Sequence, residues 1–195
     1  MSVRKASAAG AQALPQTVWT IGHSTRTLDE FLALLESCRI QAVADVRRFP
    51  GSRRCPWFAR EALDAALSAR GIRYEWIPDL GGRRKARPDS INAGWRNASF
   101  RGYADYLDSA EFAHGLQALL ELAHRRTALM FAEALWWRCH RAIIADVLSL
   151  RGIEVMHIID ATHCTVHPLT SPARVVQGRL TYPAPAGDAD GITRA

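Results

Sequence analysis

Short apolar runs alternate with stretches of helical spacing along most of the chain. Val18-Trp19-Thr20-Ile21 reads as a first strand, stopping at Gly22-His23-Ser24-Thr25. Thr27 can then cap a helix, with Glu30 completing a capping box three residues later. This helix runs to about Cys38, with Leu28, Phe31, Leu32 and Leu35 on one face. Ala42 to Val46 reads as a second strand, which ends in Arg47-Arg48-Phe49-Pro50-Gly51. Strand, helix and strand within about thirty residues make a βαβ unit and imply a parallel pair. Phe58 to Arg70 repeats the helical spacing up to Gly71, and Ile72 to Ile77 alternates as a third, shorter strand.

Lys85 to Ser99 is polar and irregular, the pattern of a functional or mobile loop. A short helix is predicted over Arg101–Leu107, and a longer one, capped by Ser109, through Ala123. Thr127 to Phe131 is a continuous apolar run, read as a buried strand. After Glu133, a bulky connection and Cys139-His140-Arg141 lead into an amphipathic run from Ala142 to Leu150. Ile153 to Ile159 is a last core strand, and Arg174 to Tyr182 can form a hairpin about Gln177-Gly178. The order β-α-β-α-β-α-α-β-α-β predicts an α/β fold with a mostly parallel sheet of about five strands. It has helices on both faces and a small C-terminal hairpin or extension. Residues 17–183 are expected to form one domain, with 1–16 a disordered leader and 184–195 a disordered tail.

In such sheets ligands bind at the carboxyl ends of the strands. His23, Ser24, Thr25, Asp45, Arg47, Arg48, Gly81, Gly82, Arg83 and Glu133 fall there. Cys139, His140 and Arg141 are expected in the first turn of their helix, where free amides and the helix dipole favour an anion. Arg141 adds a fork of donors. Glu133 and His140 are candidates for proton transfer, and Cys139 for a nucleophile with a depressed pKa. Glu133 is expected at a buried strand end, partnered by Arg141 or His140, and that ion pairing is an equally good structural reading. The stretch Trp95 to Tyr103 mixes rings with Arg96 and Arg101, which suits a nucleotide base, single-stranded nucleic acid or a lid.

Composition adds a charge argument. The formal net charge is +6, and all but two of the 25 basic residues are arginines. Guanidinium groups bind phosphate and carboxylate bidentately, although a GC-rich genome also favours arginine codons. The four cysteines show no CxxC pairing, and no secretory signal is evident, so a reducing cytoplasm is expected. No apolar run approaches the roughly 20 residues of a membrane span. GxGxxG and GxxxxGK[ST] are both missing, which disfavours dinucleotide and P-loop cofactors. The residues name no other cofactor. His157, His163, Cys164 and His167 fit no strong zinc spacing.

Several of these stretches together resemble the DUF488 family, which has no assigned activity. They are Ile21-Gly22-His23-Ser24, Asp45-Val46-Arg47, Pro50-Gly51-Ser52-Arg53, Leu80-Gly81-Gly82-Arg83, Phe100-Arg101-Gly102-Tyr103, Ala132-Glu133, Cys139-His140-Arg141 and His157-Ile158. The resemblance spans roughly Val18 to Pro183 and implies a Rossmann-like fold with a shared polar site. Phe131 stands where that family commonly has a cysteine, so a two-thiol mechanism or a Cys-Cys metal site there is not expected.

Three classes of function stay open on the sequence. One is an enzyme or binding protein for a small phosphate-bearing or nucleotide-like anion. In it His23, Ser24, Thr25, Asp45, Arg47, Gly81, Gly82, Arg83, Arg101, Tyr103 and Arg141 hold the ligand, and Glu133, His140 and Cys139 carry any chemistry. The second is a nucleic-acid-binding module without catalysis. The third, weaker, is a metal-binding protein.

Overall fold

A computed structural model describes residues 13–51 and 54–185. The predicted leader lies largely, and the tail almost wholly, outside the described residues, as do Ser52 and Arg53 of the Pro50–Arg53 stretch.

The chain folds as a mixed α/β structure about a six-stranded sheet. The strands are β1 (Thr17–Gly22), β2 (Ala42–Asp45), β3 (Arg73–Trp76), β4 (Thr127–Phe131), β5 (Glu154–Ile158) and β6 (Cys164–Val166). Their order is β3-β2-β4-β1-β5-β6. The first five run parallel, and β6 pairs antiparallel with β5. This is one strand more than the apolar pattern predicts. Cys164-Thr165-Val166 is too short to show alternation and is held by its pairing to Met156–Ile158. A separate hairpin, β7 (Arg174–Val176) and β8 (Arg179–Thr181), turns on Gln177 and Gly178, both at positive φ.

Five helices cover the sheet: α1 (Leu28–Ser37), α2 (Arg60–Ser68), α3 (Ala98–Tyr106), α4 (Ala110–Leu122) and α5 (Arg141–Leu150). The period-2 alternation of the strands divides the core in two. Trp19, Ile21, Val43, Ala128 and Met130 face α1 and α2, meeting Phe31, Leu35, Leu63 and Leu67. Val18, Ala44, Leu129, Phe131 and Val155 face the other way, meeting Tyr103, Leu116, Leu119, Ile144 and Leu148. The predicted capping box at Thr27 and Glu30 forms in both directions. The helix predicted over Arg101–Leu107 instead begins at Ala98, because the Asn97 side chain accepts from the Ser99 amide.

The register sets the position of the site. Gly22 of β1 pairs with Phe131, and Asp45 of β2 with Met130. The carboxyl ends of three neighbouring strands therefore finish level. β1 and β2 are separated by β4, so the chain after β1 crosses β4 before rejoining the sheet.

Candidate functional site

A cavity of about 490 Å³ opens above the carboxyl ends of β2 and β4. Pockets of roughly 300–1,000 Å³ suit small molecules rather than polymers alone. The β2 end contributes Arg47, Arg48, Phe49 and Gly51. The loop after β3 contributes Gly82 and Arg83, and the start of α3 contributes Asn97, Ser99 and Phe100. The far wall is the β4–α5 connection: Phe131, Ala132, Glu133, Arg138, Cys139 and His140.

Seven residues read from the sequence thus meet around one cavity: Arg47, Arg48, Gly82, Arg83, Glu133, Cys139 and His140. The others lie behind it or beside it. Thr25 is exposed and Ser24 half-buried with positive φ; neither lines the cavity. Arg101 donates to the Trp95 carbonyl at 3.4 Å. Tyr103 is fully buried, and its hydroxyl donates to the Leu80 carbonyl at 2.7 Å. This bond anchors the Gly81-Gly82-Arg83 segment from beneath. The wall also includes Phe49, Asn97, Ser99 and Arg138, which the sequence reading does not single out. For Arg138 the only signal is its place beside Cys139.

Asp45 and Arg47 form a buried, two-pronged ion pair, Nε to Oδ1 at 2.8 Å and Nη2 to Oδ2 at 2.6 Å. The Arg47 amide and the Tyr74 hydroxyl also donate to the same carboxylate. With its lone pairs so engaged, Asp45 orients Arg47. The remaining amine of Arg47, Nη1, approaches His23 Nε2 at 3.5 Å. His23 Nδ1 sits 3.0 Å from the Ser24 carbonyl, so Nδ1 carries the proton and Nε2 faces Arg47 as an acceptor. Burial, reinforced by Arg47, pushes the His23 pKa down to about 4. It is a neutral imidazole at ordinary pH.

Arg141 stands in the first turn as the spacing predicts, whereas Cys139 and His140 fall just before it. α5 begins at Arg141, with His140 as the capping residue and Cys139 before it. The Ala142 amide donates to the Cys139 carbonyl, and the Ile143 and Ile144 amides to that of His140. Those amides are therefore consumed within the turn and do not wait for an anion. The His140 ring lies 4.7 Å from the Tyr103 ring and 5.2 Å from that of Phe131. Gly82 packs against it so closely that a Cβ there would stand 2.8 Å from Nδ1. Its Nε2 is buried and unpartnered among the described residues. Burial, then Arg141, lowers the His140 pKa to about 3.

The thiol of Cys139 moves opposite to the depression expected at a helix N-terminus. Burial outweighs the nearby Arg141 and pushes it up to about 11. Cys139 is a protonated thiol at neutral pH. Glu133 also departs from expectation. β4 ends at Phe131, so Glu133 is exposed, and Arg141 donates through Nη2 to its main-chain carbonyl. Gly22 is required at this contact, since a Cβ would strike that carbonyl oxygen and stand 2.6 Å from Arg141 Nη2.

Of the weak zinc spacing, the fold joins His157 and His167 and turns Cys164 elsewhere. His157 and His167 meet at 3.0 Å, Nε2 to Nδ1, inside a buried chain. His167 Nε2 contacts Asp146 Oδ1 at 2.9 Å, and His157 Nδ1 contacts the Thr20 hydroxyl at 2.7 Å. Reading the protons back from Asp146, each imidazole donates toward the carboxylate and Thr20 donates first. Trp136 stacks on His157 at 4.7 Å with the rings 10° apart, which ties this chain to the β4–α5 connection. Cys164 faces Cys38 instead. Among the described residues no three His, Cys, Asp or Glu side chains converge as a metal site. No described helix is long and apolar enough to cross a membrane.

Residues 27–148 match the family model described as Domain of unknown function DUF488. No curated protein and no solved structure matches the chain.

Proposed function

The chain belongs to the DUF488 family, and we propose that it binds a small phosphate-bearing or nucleotide-like anion in the cavity above β2 and β4. One observation carries this reading: the lining holds four guanidinium groups, Arg47, Arg48, Arg83 and Arg138, against a single carboxylate, Glu133. Arginines gathered at a concave site attract anions and grip their oxygens in pairs. Arg47 is fixed in place by Asp45. Arg48, Arg83 and Arg138 are exposed, with Arg48 donating through Nη1 to the Arg83 carbonyl at 3.2 Å. Phe49 at the β2 end and Phe100 at the start of α3 add aromatic rings to the lining, which suits a base.

If a reaction follows binding, its proton carriers are Glu133 and His140. Both line the cavity, Glu133 as an exposed carboxylate and His140 as a neutral imidazole with one nitrogen unpartnered. The protonated Cys139 thiol is a poor nucleophile in this state.

Calorimetric titration of the full chain with inorganic phosphate, nucleoside mono- and triphosphates, and short single-stranded RNA and DNA tests the proposal. A nucleotide should bind with a well-defined stoichiometry of one, and Arg83→Ala with Arg138→Ala should weaken it at least about ten-fold, ~1.4 kcal/mol. Binding of oligonucleotides alone, weakening steeply with salt, would instead favour the nucleic-acid module. No binding, or binding indifferent to both substitutions, would overturn the proposal.

A further inference from the structure

We propose that Cys38 and Cys164 form an oxidation site, two thiols that a peroxide joins into a reversible disulfide. Their sulfur atoms lie 3.6 Å apart. The residues are 126 positions apart in sequence, so the fold alone brings them together. Cys38 closes the C-terminal end of α1, and Cys164 opens β6. Both are half-buried, which leaves a small oxidant access, whereas Cys55 and Cys139 are buried.

A disulfide spans about 2.05 Å, so the two sulfurs must close by roughly 1.5 Å. The surroundings allow that movement. β6 is a three-residue strand at the sheet edge, paired on one side only. The Cys38 main chain is held more firmly, because Arg126 donates twice to its carbonyl, from Nε and from Nη2. Closure therefore proceeds by rotation of the side chains and a small shift of β6 toward α1. In the reduced protein the pair shares an S–H···S contact, and burial with that contact raises the Cys164 thiol to about 11. The reaction is accordingly slow at neutral pH and faster as pH rises.

The chemistry balances with a peroxide as oxidant. One thiol takes an oxygen atom from hydrogen peroxide, giving a sulfenic acid and one water. The second thiol attacks that sulfur, forming the S–S bond and releasing a second water. Two thiols are oxidised and one peroxide is reduced to two waters. An external dithiol reverses the step by exchange. In a reducing compartment such a bond is transient and reports oxidant exposure. Every described residue lining the cavity lies between Cys38 and Cys164 in sequence, so the bond would close one covalent loop around the whole site.

The test is native full-length protein treated with hydrogen peroxide, followed by intact mass and non-reducing peptide mapping. The expected result is loss of two hydrogens, a Cys38–Cys164 linked peptide, and full reversal by dithiothreitol. The thermal midpoint should rise on oxidation and fall back on reduction. Cys38→Ser and Cys164→Ser should each abolish the two-hydrogen loss, and folded spectra of both variants would show that the loss is not unfolding. Stable addition of oxygen, a cross-linked dimer, a different cysteine pair, or inert native protein would each overturn the proposal.

Discussion

Arg141 has no solvent exposure, and its guanidinium donates to the main-chain carbonyl of Glu133. No carboxylate forms an ion pair with it among the described residues, and its Nε and Nη1 lack hydrogen-bond partners. The Phe131 ring, 4.7 Å from the guanidinium carbon, supplies part of the compensation, about 1–2 kcal/mol. A buried cation held by that carbonyl, the ring and the Cys139 thiol, with no carboxylate, costs stability, and an apolar side chain of similar length should relieve it. Arg141→Met is expected to stabilise the ligand-free chain by about 1–3 kcal/mol. Urea unfolding measures this directly. A loss of stability of that size would mean that the guanidinium is satisfied within the fold.

Asp146 has the opposite character, a buried carboxylate whose acceptor positions are filled by donors. His167 Nε2, the Thr170 amide, the Thr170 hydroxyl and the Tyr182 hydroxyl all point at its two oxygens. Asp146→Asn replaces one acceptor with a donor and sets it against another donor. Breaking such a network costs about 3–5 kcal/mol. Hydrogen exchange should then accelerate at Thr170 and Tyr182 while the amides of β4 stay protected. Uniform acceleration throughout the sheet would argue that the network is no local clasp.

Acid should weaken the fold well before carboxylates titrate. His23, His140 and His157 are neutral imidazoles, with pKa values lowered to about 4, about 3 and about 3 chiefly by desolvation. In the unfolded chain each takes up a proton near 6.5. Their contribution is complete above pH 6.5 and is lost as pH falls toward 4 and then 3. Each histidine adds up to about 1.4 kcal/mol per pH unit to the slope, so the three together give roughly 4. Urea midpoints should drop sharply between pH 7 and pH 5. A flat profile over that interval would show that the three rings are accessible to protons in the folded state.

Local chemistry was readable wherever it sits within a few residues. Thr27 and Glu30 announce the start of α1, and Gln177-Gly178 the hairpin, because each signal and its partner lie in one turn. The strand order could not be read, since β4 enters between β2 and β1 only after the chain has passed through three helices and β3. The sign of the Cys139 shift escaped for a related reason. A helix terminus is visible in the sequence, but the burial that overrides it comes from the tertiary packing. The burial expected of Glu133 fails at a strand boundary: ending β4 at Phe131 turns the next two residues out to solvent. His157 and His167 fit no strong zinc spacing, and only the fold supplies the Thr20 and Asp146 that occupy their nitrogens.

β1 lies between β4 and β5, yet residues 27–148 of the family match exclude it along with β5 and β6. A chain trimmed to that match would leave one side of β4 unpaired along Thr127–Phe131, every residue of which is buried in the intact fold. Such a long apolar edge recruits other strands. The trimmed chain would aggregate through β4, so the strand that precedes the matched residues acts as their solubility cover.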